Sequence, residues 1–295
     1  MSNYVISCCS PADLTKEHFE SRDIKYICFH FFLNGKEYTD DLGESLSFND
    51  FYAEIEKKAE TRTSQVNADE FIEYFTPFLE NGQDIIHLCL SAGISGVYNS
   101  ANIAAEELRE KYPERKIYIV NSLAAASGLG LFLDILADLR DEGKTIDEVY
   151  EWAEANKLRI HHWFFSTDLT YFVLGGRISK VSGFIGTALK ICPLLNVSKE
   201  GKLVAREKVR TKQAVIKQIV SKMEAEADGG LDYDGKCYIS HSACSEDCDA
   251  VIELIESKFP NLKGKVKKFS IGTTIGSHTG IGTVALFFVG KERTN

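Results

Sequence analysis

Two segments rich in hydroxyls and glycines could bind a small anion. The first is Ser91–Gly96, S-A-G-I-S-G, which separates the short apolar run Ile85–Leu90 from a helical pattern that begins at Val97. Backbone N–H groups at the start of a helix carry partial positive charge and attract anions. Ser95 stands where a helix N-cap is expected. Its hydroxyl could therefore be a cap alone or part of an anion site, and the residues by themselves leave both readings open.

The second segment is Gly272–Gly282, G-T-T-I-G-S-H-T-G-I-G. It lacks the lysine of a phosphate-binding loop, and its glycine spacing is not that of a dinucleotide turn. His278 lies among hydroxyls and could donate a hydrogen bond to an anion. The same residues are also consistent with a tight connection between two elements that carries a solvated histidine, so this alternative stays open.

The sequence gives weaker support for a metal site or for a catalytic nucleophile. His241, Cys244 and Cys248 form H-x-x-C-x-x-x-C, with Cys237 nearby. However, His241 ends a predicted strand, Cys248 lies in a predicted helix, and no C-x-x-C pair is present. The run Gly93–Val97 misses the final glycine of a nucleophile elbow. No cysteine stands in a polar, basic setting. We expect no metal site, no cofactor and no catalytic residue, although an enzyme that uses Ser95 or a cysteine remains the alternative.

The composition excludes two further classes of protein. The chain has 295 residues and a net charge of −9 from 43 acidic and 34 basic side chains, which opposes a nucleic-acid interface. Apolar runs such as Tyr26–Leu33 are far shorter than the roughly 20 residues that a membrane span needs, so we expect no stable membrane insertion. The N-terminus lacks a secretion signal and most cysteines lie inside apolar runs, which favours a cytoplasmic protein.

The order of elements predicts an α/β fold of two domains. In residues 1–158 strands alternate with helices, which is typical of a mostly parallel sheet sandwiched by helices, with ligands at the carboxyl ends of the strands. In residues 159–295 hairpins mix with helices, which predicts a second α/β domain with a mixed or antiparallel sheet.

Four local expectations are specific enough to test. Tyr26–Leu33 is predicted as one strand, and the polar stretch Thr61–Asn67 as a loop. Ser182–Ile191 is predicted as a helix that stops before Pro193. Two glycines in the helix Leu123–Leu139, Gly128 and Gly130, suggest close backbone packing.

Taken together, four motifs resemble the DegV family of bacterial fatty-acid-binding proteins along the whole chain. They are Thr63-Ser64-Gln65, Ser91-x-x-x-Ser95-Gly96-x-Tyr98-x-Ser100-Ala101, Gly176-Arg177-Ile178-Ser179 and Gly276-Ser277-His278-Thr279-Gly280-x-Gly282. The resemblance implies two α/β domains, with a long-chain fatty acid buried between and beneath them. It also implies a possible partner, a separate ATP-dependent fatty acid kinase that converts the presented carboxylate to an acyl phosphate.

The resemblance also implies roles for individual residues. Thr63 and Ser95 match the positions that hold the carboxylate, His278 lies close by, and Arg177 matches the arginine of the G-R-I-S segment. Gly96 belongs to the serine turn. The family usually has aspartate-serine where this chain has Cys8-Cys9, which puts the detailed polarity of the pocket in question.

Basic side chains near the pocket opening would steer a nucleotide-loaded partner. Arg177 and Arg210 are the candidates for this partner-facing role, whereas Arg206 reads better as a solvated edge of a hairpin. The leading interpretation is thus a fatty acid carrier. The alternatives are a hydrolase-like α/β enzyme and a lipid-sensing regulatory module.

Overall fold

The fold is a mixed α/β arrangement of three sheets. The computed structural model describes residues 4–178 and 191–294. Among them the strands, in chain order, are β1 Tyr4–Cys9, β2 Ile24–Ile27, β3 His30–Leu33, β4 Lys36–Thr39, β5 Thr61–Ser64, β6 Asp84–Cys89, β7 Ile117–Asn121, β8 Ile160–Ser166, β9 Ile191–Val197, β10 Leu203–Arg210, β11 Cys237–His241, β12 Lys267–Ser270 and β13 Thr283–Val289. The helices are α1 Lys16–Ser21, α2 Phe48–Glu56, α3 Ala68–Glu80, α4 Val97–Lys111, α5 Ala126–Asp141, α6 Ile146–Asn156, α7 Thr170–Leu174, α8 Lys212–Glu226, α9 Ser245–Lys258 and α10 Thr273–Thr279.

The first sheet is parallel throughout, in the order β2-β1-β6-β7. In its centre Ile85 lies opposite both Val5 and Ile117. All six residues of β1 are buried, so both faces of this strand are covered, as parallel sheets require. Helices α3 and α4 pack against β6, while α5 contacts β1 and α6 contacts β7.

The second sheet is mixed, in the order β10-β9-β8-β13-β11-β12, and only its β11–β12 pair is parallel. Strand β8 serves two cores because successive side chains point to opposite faces. Trp163 and Phe165 join the apolar cluster beneath α8 and α9, whereas Phe164 joins the main core shared with the first sheet. This confirms the prediction of a mixed α/β fold with a parallel sheet followed by a mixed one.

Helix α5 is the element on which both sheets pack. It contacts β1 of the first sheet and β8, β11 and β13 of the second. At Gly128 a Cβ atom would lie only 2.2 Å from His162 Nε2, so glycine is required for this approach. At Gly130 a Cβ atom would lie 2.7 Å from Ala12 O, so the close backbone packing that the sequence predicts for this helix is present. The proposed boundary between residues 158 and 159 stays a prediction, and the first strand of the second sheet begins at Ile160.

Two local expectations need correction. The apolar run Tyr26–Leu33 is not one strand: it divides into β2, which belongs to the parallel sheet, and β3, which belongs to the small antiparallel sheet β4-β3-β5. The stretch Thr61–Asn67 is not wholly a loop, because its first four residues form β5. For Gly272–Gly282, where the sequence left a tight connection open as one alternative, the structure shows that the segment contains α10. The helix expected over Ser182–Ile191 falls almost entirely outside the described residues, and Ile191 begins β9.

None of the helices in the described part of the chain has the length and apolarity that crossing a membrane would require.

Candidate ligand-binding site

A cavity of about 320 Å³ lies between the parallel sheet, the mixed sheet and α10. This volume is at the lower end of the range for small-molecule sites. Most of its wall is apolar and comes from segments far apart in sequence. These apolar residues are Phe29, Leu90, Ile94, Ala125, Ala126, Phe164, Phe172, Val197, Leu203, Ile271, Ile275, Ala285 and Phe287. Such a wall favours an apolar ligand over water.

Five of the polar side chains in this wall come from four separate segments. Thr63 and Gln65 come from β5 and the residue just beyond it, Ser95 from the turn before α4, Arg177 from the residues after α7, and His278 from α10. The structure thus brings together the four residues Thr63, Ser95, Arg177 and His278, which span more than two hundred positions of sequence. Folding, and not local sequence, creates this cluster.

Ser95 is held at the end of the first sheet. The backbone N–H groups of Ile94 and Ser95 both donate to Ser91 O, each at 3.1 Å, which closes a tight turn. The Ser95 hydroxyl donates to Gln65 Oε1 at 3.3 Å and accepts from the N–H of Val97 at the same distance. Helix α4 begins at Val97, and the expectation that Ser95 is its N-cap is wrong, because Gly96 occupies that position. Ser95 therefore supports the helix start and also faces the cavity.

His278 and Thr63 form a direct pair. The His278 Nε2 atom lies 2.8 Å from Thr63 Oγ1, and the buried Nδ1 atom has no hydrogen-bond partner among the described residues. Burial, and then the charge of Arg177, lower the pKa of His278 to about 4. The imidazole is therefore neutral at pH 7, when one of its nitrogens donates and the other accepts.

Arg177 adds a cation to the same cluster. Its Nη1 donates to Gly175 O at 2.5 Å and its Nε donates to Ile94 O at 3.3 Å. Burial lowers the pKa of this guanidinium, yet an arginine stays charged in proteins. The bond to Ile94 O joins Arg177 to the turn that carries Ser95.

The other two residues expected at the site lie outside the cavity wall. Gly96 is next to Ser95, and a Cβ atom there would lie 3.0 Å from Gln65 Oε1. Arg210 is exposed and pairs with Ile191 at the far end of β10 from the cavity-lining Leu203. At about 3.3 Å per residue, this separation is on the order of 20 Å. Arg210 is thus far from Leu203 and is not among the residues that line the cavity.

Gln65 also belongs to the site, although the sequence pattern does not identify it as a binding residue. Its Oε1 accepts from Ser95, and its Nε2 donates to Ser100 Oγ at 3.1 Å. It therefore connects β5 to the first turns of α4. The T-S-Q triplet was the available signal, since it places an amide two residues after Thr63.

Nucleophilic catalysis finds no support in the arrangement. The Ser95 hydroxyl is bonded to an amide oxygen, which cannot act as a general base, and His278 is bonded to Thr63 instead. Burial raises the pKa of each cysteine thiol. Reactive cysteines need the opposite shift. Within the described ranges no group of three or more His, Cys, Asp or Glu side chains could hold a metal ion.

What the cavity offers is a polar cluster joined to an apolar interior. Two hydroxyls, a neutral imidazole and a guanidinium can supply hydrogen bonds and one positive charge to a small anionic group. The apolar wall suits a hydrocarbon attached to that group, because burial of each methylene contributes about 0.8 kcal/mol. The arrangement is therefore suited to an amphipathic acid.

Comparison with known proteins gives a consistent result. Residues 6–291 match the family described as "Uncharacterised protein, DegV family". A DegV domain-containing protein of Clostridium perfringens is 37% identical over 293 residues, which cover 99% of each chain. The crystal structure of a fatty acid binding DegV family protein from Streptococcus agalactiae superimposes with a TM-score of 0.83 at 25% identity and covers 99% of this chain and all of that one.

A fatty-acid-binding DegV family protein from Thermus thermophilus has a TM-score of 0.86 at 24% identity, over 98% of this chain and 99% of that one. At this identity the likeness concerns the fold.

Proposed function

Because this chain belongs to the DegV family, we propose that it binds a long-chain fatty acid in the cavity, with the carboxylate held by Thr63 and Ser95. The observation that carries the proposal is the junction of the Thr63–Ser95–Arg177–His278 cluster with an apolar wall. The Streptococcus agalactiae and Thermus thermophilus relatives are described as fatty acid binding proteins, which supports the same ligand class.

The two parts of the ligand have separate energetic roles. A palmitoyl-length tail gains roughly 10 kcal/mol from burial before the costs of association. A hydrogen bond from a hydroxyl to a charged carboxylate contributes about 1.5–3 kcal/mol. The tail therefore provides most of the affinity, and the hydroxyls fix which end of the molecule meets the polar cluster.

Native mass spectrometry of the protein purified from bacteria tests this function. The expected result is a complex heavier than the bare chain by the mass of one long-chain acid, which organic extraction then releases. A chain that purifies without lipid and takes up no added long-chain acid would contradict the proposal.

We further propose that the protein is a carrier and not an enzyme by itself, that it needs no cofactor, and that it acts in the cytoplasm. In this role it presents the carboxylate to a separate fatty acid kinase. The kinase would transfer the γ-phosphoryl group of ATP to a carboxylate oxygen, which yields an acyl phosphate and ADP. A carboxylate accepts a phosphoryl group only where nucleotide, metal ion and charge-stabilising groups are positioned around it, and the partner would supply these.

Arg210 gives a test of the kinase partnership. Arg210 is exposed and does not line the cavity, which fits a residue that meets a partner and not the ligand. The variant Arg210→Ala should lower acyl phosphate formation by the kinase while fatty acid binding stays unchanged. Lys263→Ala, which removes an exposed cation elsewhere, is the control. If Arg210→Ala supports the same rate as the control, Arg210 is not a partner contact.

A second candidate function is a hydrolase-like enzyme that uses Ser95 or a cysteine. Ser95 is bonded to an amide oxygen, which is not a general base. Cys9 has His87 Nε2 at 3.6 Å, but it is fully buried and burial raises the pKa of its thiol. A lipid-sensing module would use the same pocket. That role would be favoured if the protein binds lipid but no fatty acid kinase phosphorylates the bound acid.

A further inference from the structure

The turn that carries Ser95 rests against the hairpin turn between β9 and β10. Ser91 is fully buried, and its hydroxyl donates to Gly201 O at 2.7 Å. The Ser91 Oγ atom also accepts a hydrogen bond from the N–H of Gly93 at 3.1 Å. One hydroxyl thus joins the parallel sheet's turn to the mixed sheet's hairpin, 110 positions away in sequence.

The two turns also fit each other in shape. A Cβ atom at Gly93 would lie 2.5 Å from Gly201 O, and a Cβ atom at Gly201 would lie 1.9 Å from Ser91 Oγ. Gly201 further has a φ of +72°, which favours glycine. Contact at this distance is possible only because neither position has a side chain.

The hairpin side of this contact is itself rigid. The N–H of Ser198 donates to Lys202 O at 2.8 Å, and the N–H of Gly201 donates to Ser198 O at 2.9 Å. The Ser198 hydroxyl accepts from the N–H groups of Glu200 and Lys202. The hairpin is therefore a fixed support and not a loose loop.

The hairpin turn between β9 and β10 influences the position of cavity residues through Ser91 and the turn that carries Ser95. The carbonyl of Ser91 receives the N–H groups of Ile94 and Ser95, so a shift of Ser91 moves both residues. Ile94 and Ser95 line the cavity, as do Val197 and Leu203 at the base of the hairpin.

We propose that Ser91 is a positioning residue for ligand binding: with Gly93 and Gly201 it fixes the Ser95 hydroxyl in the orientation that receives the carboxylate. This inference rests on the proposed fatty acid function. Ser91 does not touch the ligand in this account; it acts through the turn.

The experiment compares the affinities of palmitic acid and its methyl ester, because only the acid has a carboxylate for Ser95 to bind. Wild type should prefer the acid. Ser91→Ala should reduce that preference about five- to tenfold, the effect of one buried hydrogen bond, while ester binding changes little. Gly201→Ala should have the same effect by pushing the turns apart.

The control is Ser7→Ala, which removes another fully buried hydroxyl, one that bonds His87 and Tyr74. It should lower the melting temperature without changing the acid-to-ester ratio. If Ser91→Ala keeps the wild-type ratio while Ser95→Ala abolishes it, the positioning role is wrong and the proposed function stands. If wild type binds neither ligand, or does not distinguish them, the proposed function itself is wrong.

Discussion

The imidazole of His278 and the hydroxyl of Thr63 meet at 2.8 Å, although 215 positions separate the two residues. If Nε2 carries the proton, it donates to Thr63 Oγ1, and the hydroxyl proton of Thr63 is then available to a carboxylate. If Nδ1 carries it, Thr63 must donate to the imidazole instead. The proposed carboxylate site therefore requires the Nε2–H tautomer.

This pair leads to a prediction about acid stability. The pKa of His278 is about 4 in the folded chain, against about 6.5 for an unperturbed histidine. The folded state then binds fewer protons than the unfolded state between these values, so stability falls as pH drops from about 6.5 to about 4. The variant His278→Gln should lose less stability over this window, as measured by urea unfolding at several pH values. An unchanged pH dependence would show that His278 is not buried as a neutral base.

Ser95→Ala tests the ligand role of that hydroxyl. The variant loses the donor to Gln65 and the acceptor for Val97, and we expect palmitate affinity to fall about tenfold. The fold should persist, because the variant loses a single hydrogen bond at the start of α4, which costs about 1 kcal/mol. Titration and a melting curve measure the two effects. A variant with wild-type affinity for palmitate and a normal melting curve would show that Ser95 does not bind the carboxylate.

Ala285→Leu tests whether the cavity receives the hydrocarbon tail. Ala285 lines the cavity and pairs with Phe164 on β8 and Ser240 on β11, so a larger side chain takes up space there. We expect the affinity for palmitate to fall by more than the affinity for octanoate, because the short acid needs less room. The octanoate titration serves as the internal control for damage to the polar cluster. An equal loss for both acids would contradict a tail in this part of the cavity.

Asp13→Asn concerns a buried pair of carboxyl groups at the start of α10. Asp13 Oδ1 accepts from the N–H of Gly272 at 3.1 Å, and Asp40 Oδ1 accepts from the Thr273 hydroxyl at 2.8 Å. Burial, and then the nearby charge of Asp40, hold the pKa of Asp13 well above its usual range. Since the unfolded carboxyl releases its proton near pH 4, the folded state binds more protons above that pH. Stability contributed by this group is therefore lost as pH rises.

Asparagine keeps the acceptor for Gly272, cannot ionise, and tolerates the φ of 47° at this position. We expect Asp13→Asn to raise the melting temperature at pH 8 and to raise it less at pH 4. Asp234→Asn, at an exposed position, should change neither. A gain that is the same at both pH values would mean that the charge of Asp13 is not responsible.

The sequence predicts the alternation of strands and helices well, because the strands of the first sheet are mostly apolar. It fails at Tyr26–Leu33, since sheet membership is decided by distant partners. Phe29, between β2 and β3, is held by Ser10 Oγ and by the N–H of Asp40. No local pattern marks the point where the chain leaves one sheet for the other.

The site shows the same limit. Hydroxyls and glycines identify Ser95 and His278 as candidates, but nothing local indicates that His278 meets Thr63. Only the resemblance of the four motifs to one family indicates that they form a single site. Strand β5 was missed because Thr61–Ser64 is polar and half exposed, so its pairing with β3 leaves little apolar pattern in the sequence.

The structure of the protein crystallised with palmitic acid tests the central claim most directly. The account predicts one acid with its carboxylate within about 3.2 Å of both Thr63 Oγ1 and Ser95 Oγ, a hydrogen-bond distance. The hydrocarbon should then lie along the apolar wall that includes Phe164 and Phe287. A carboxylate bound elsewhere, or a hydrocarbon end against Thr63 and Ser95, would contradict it.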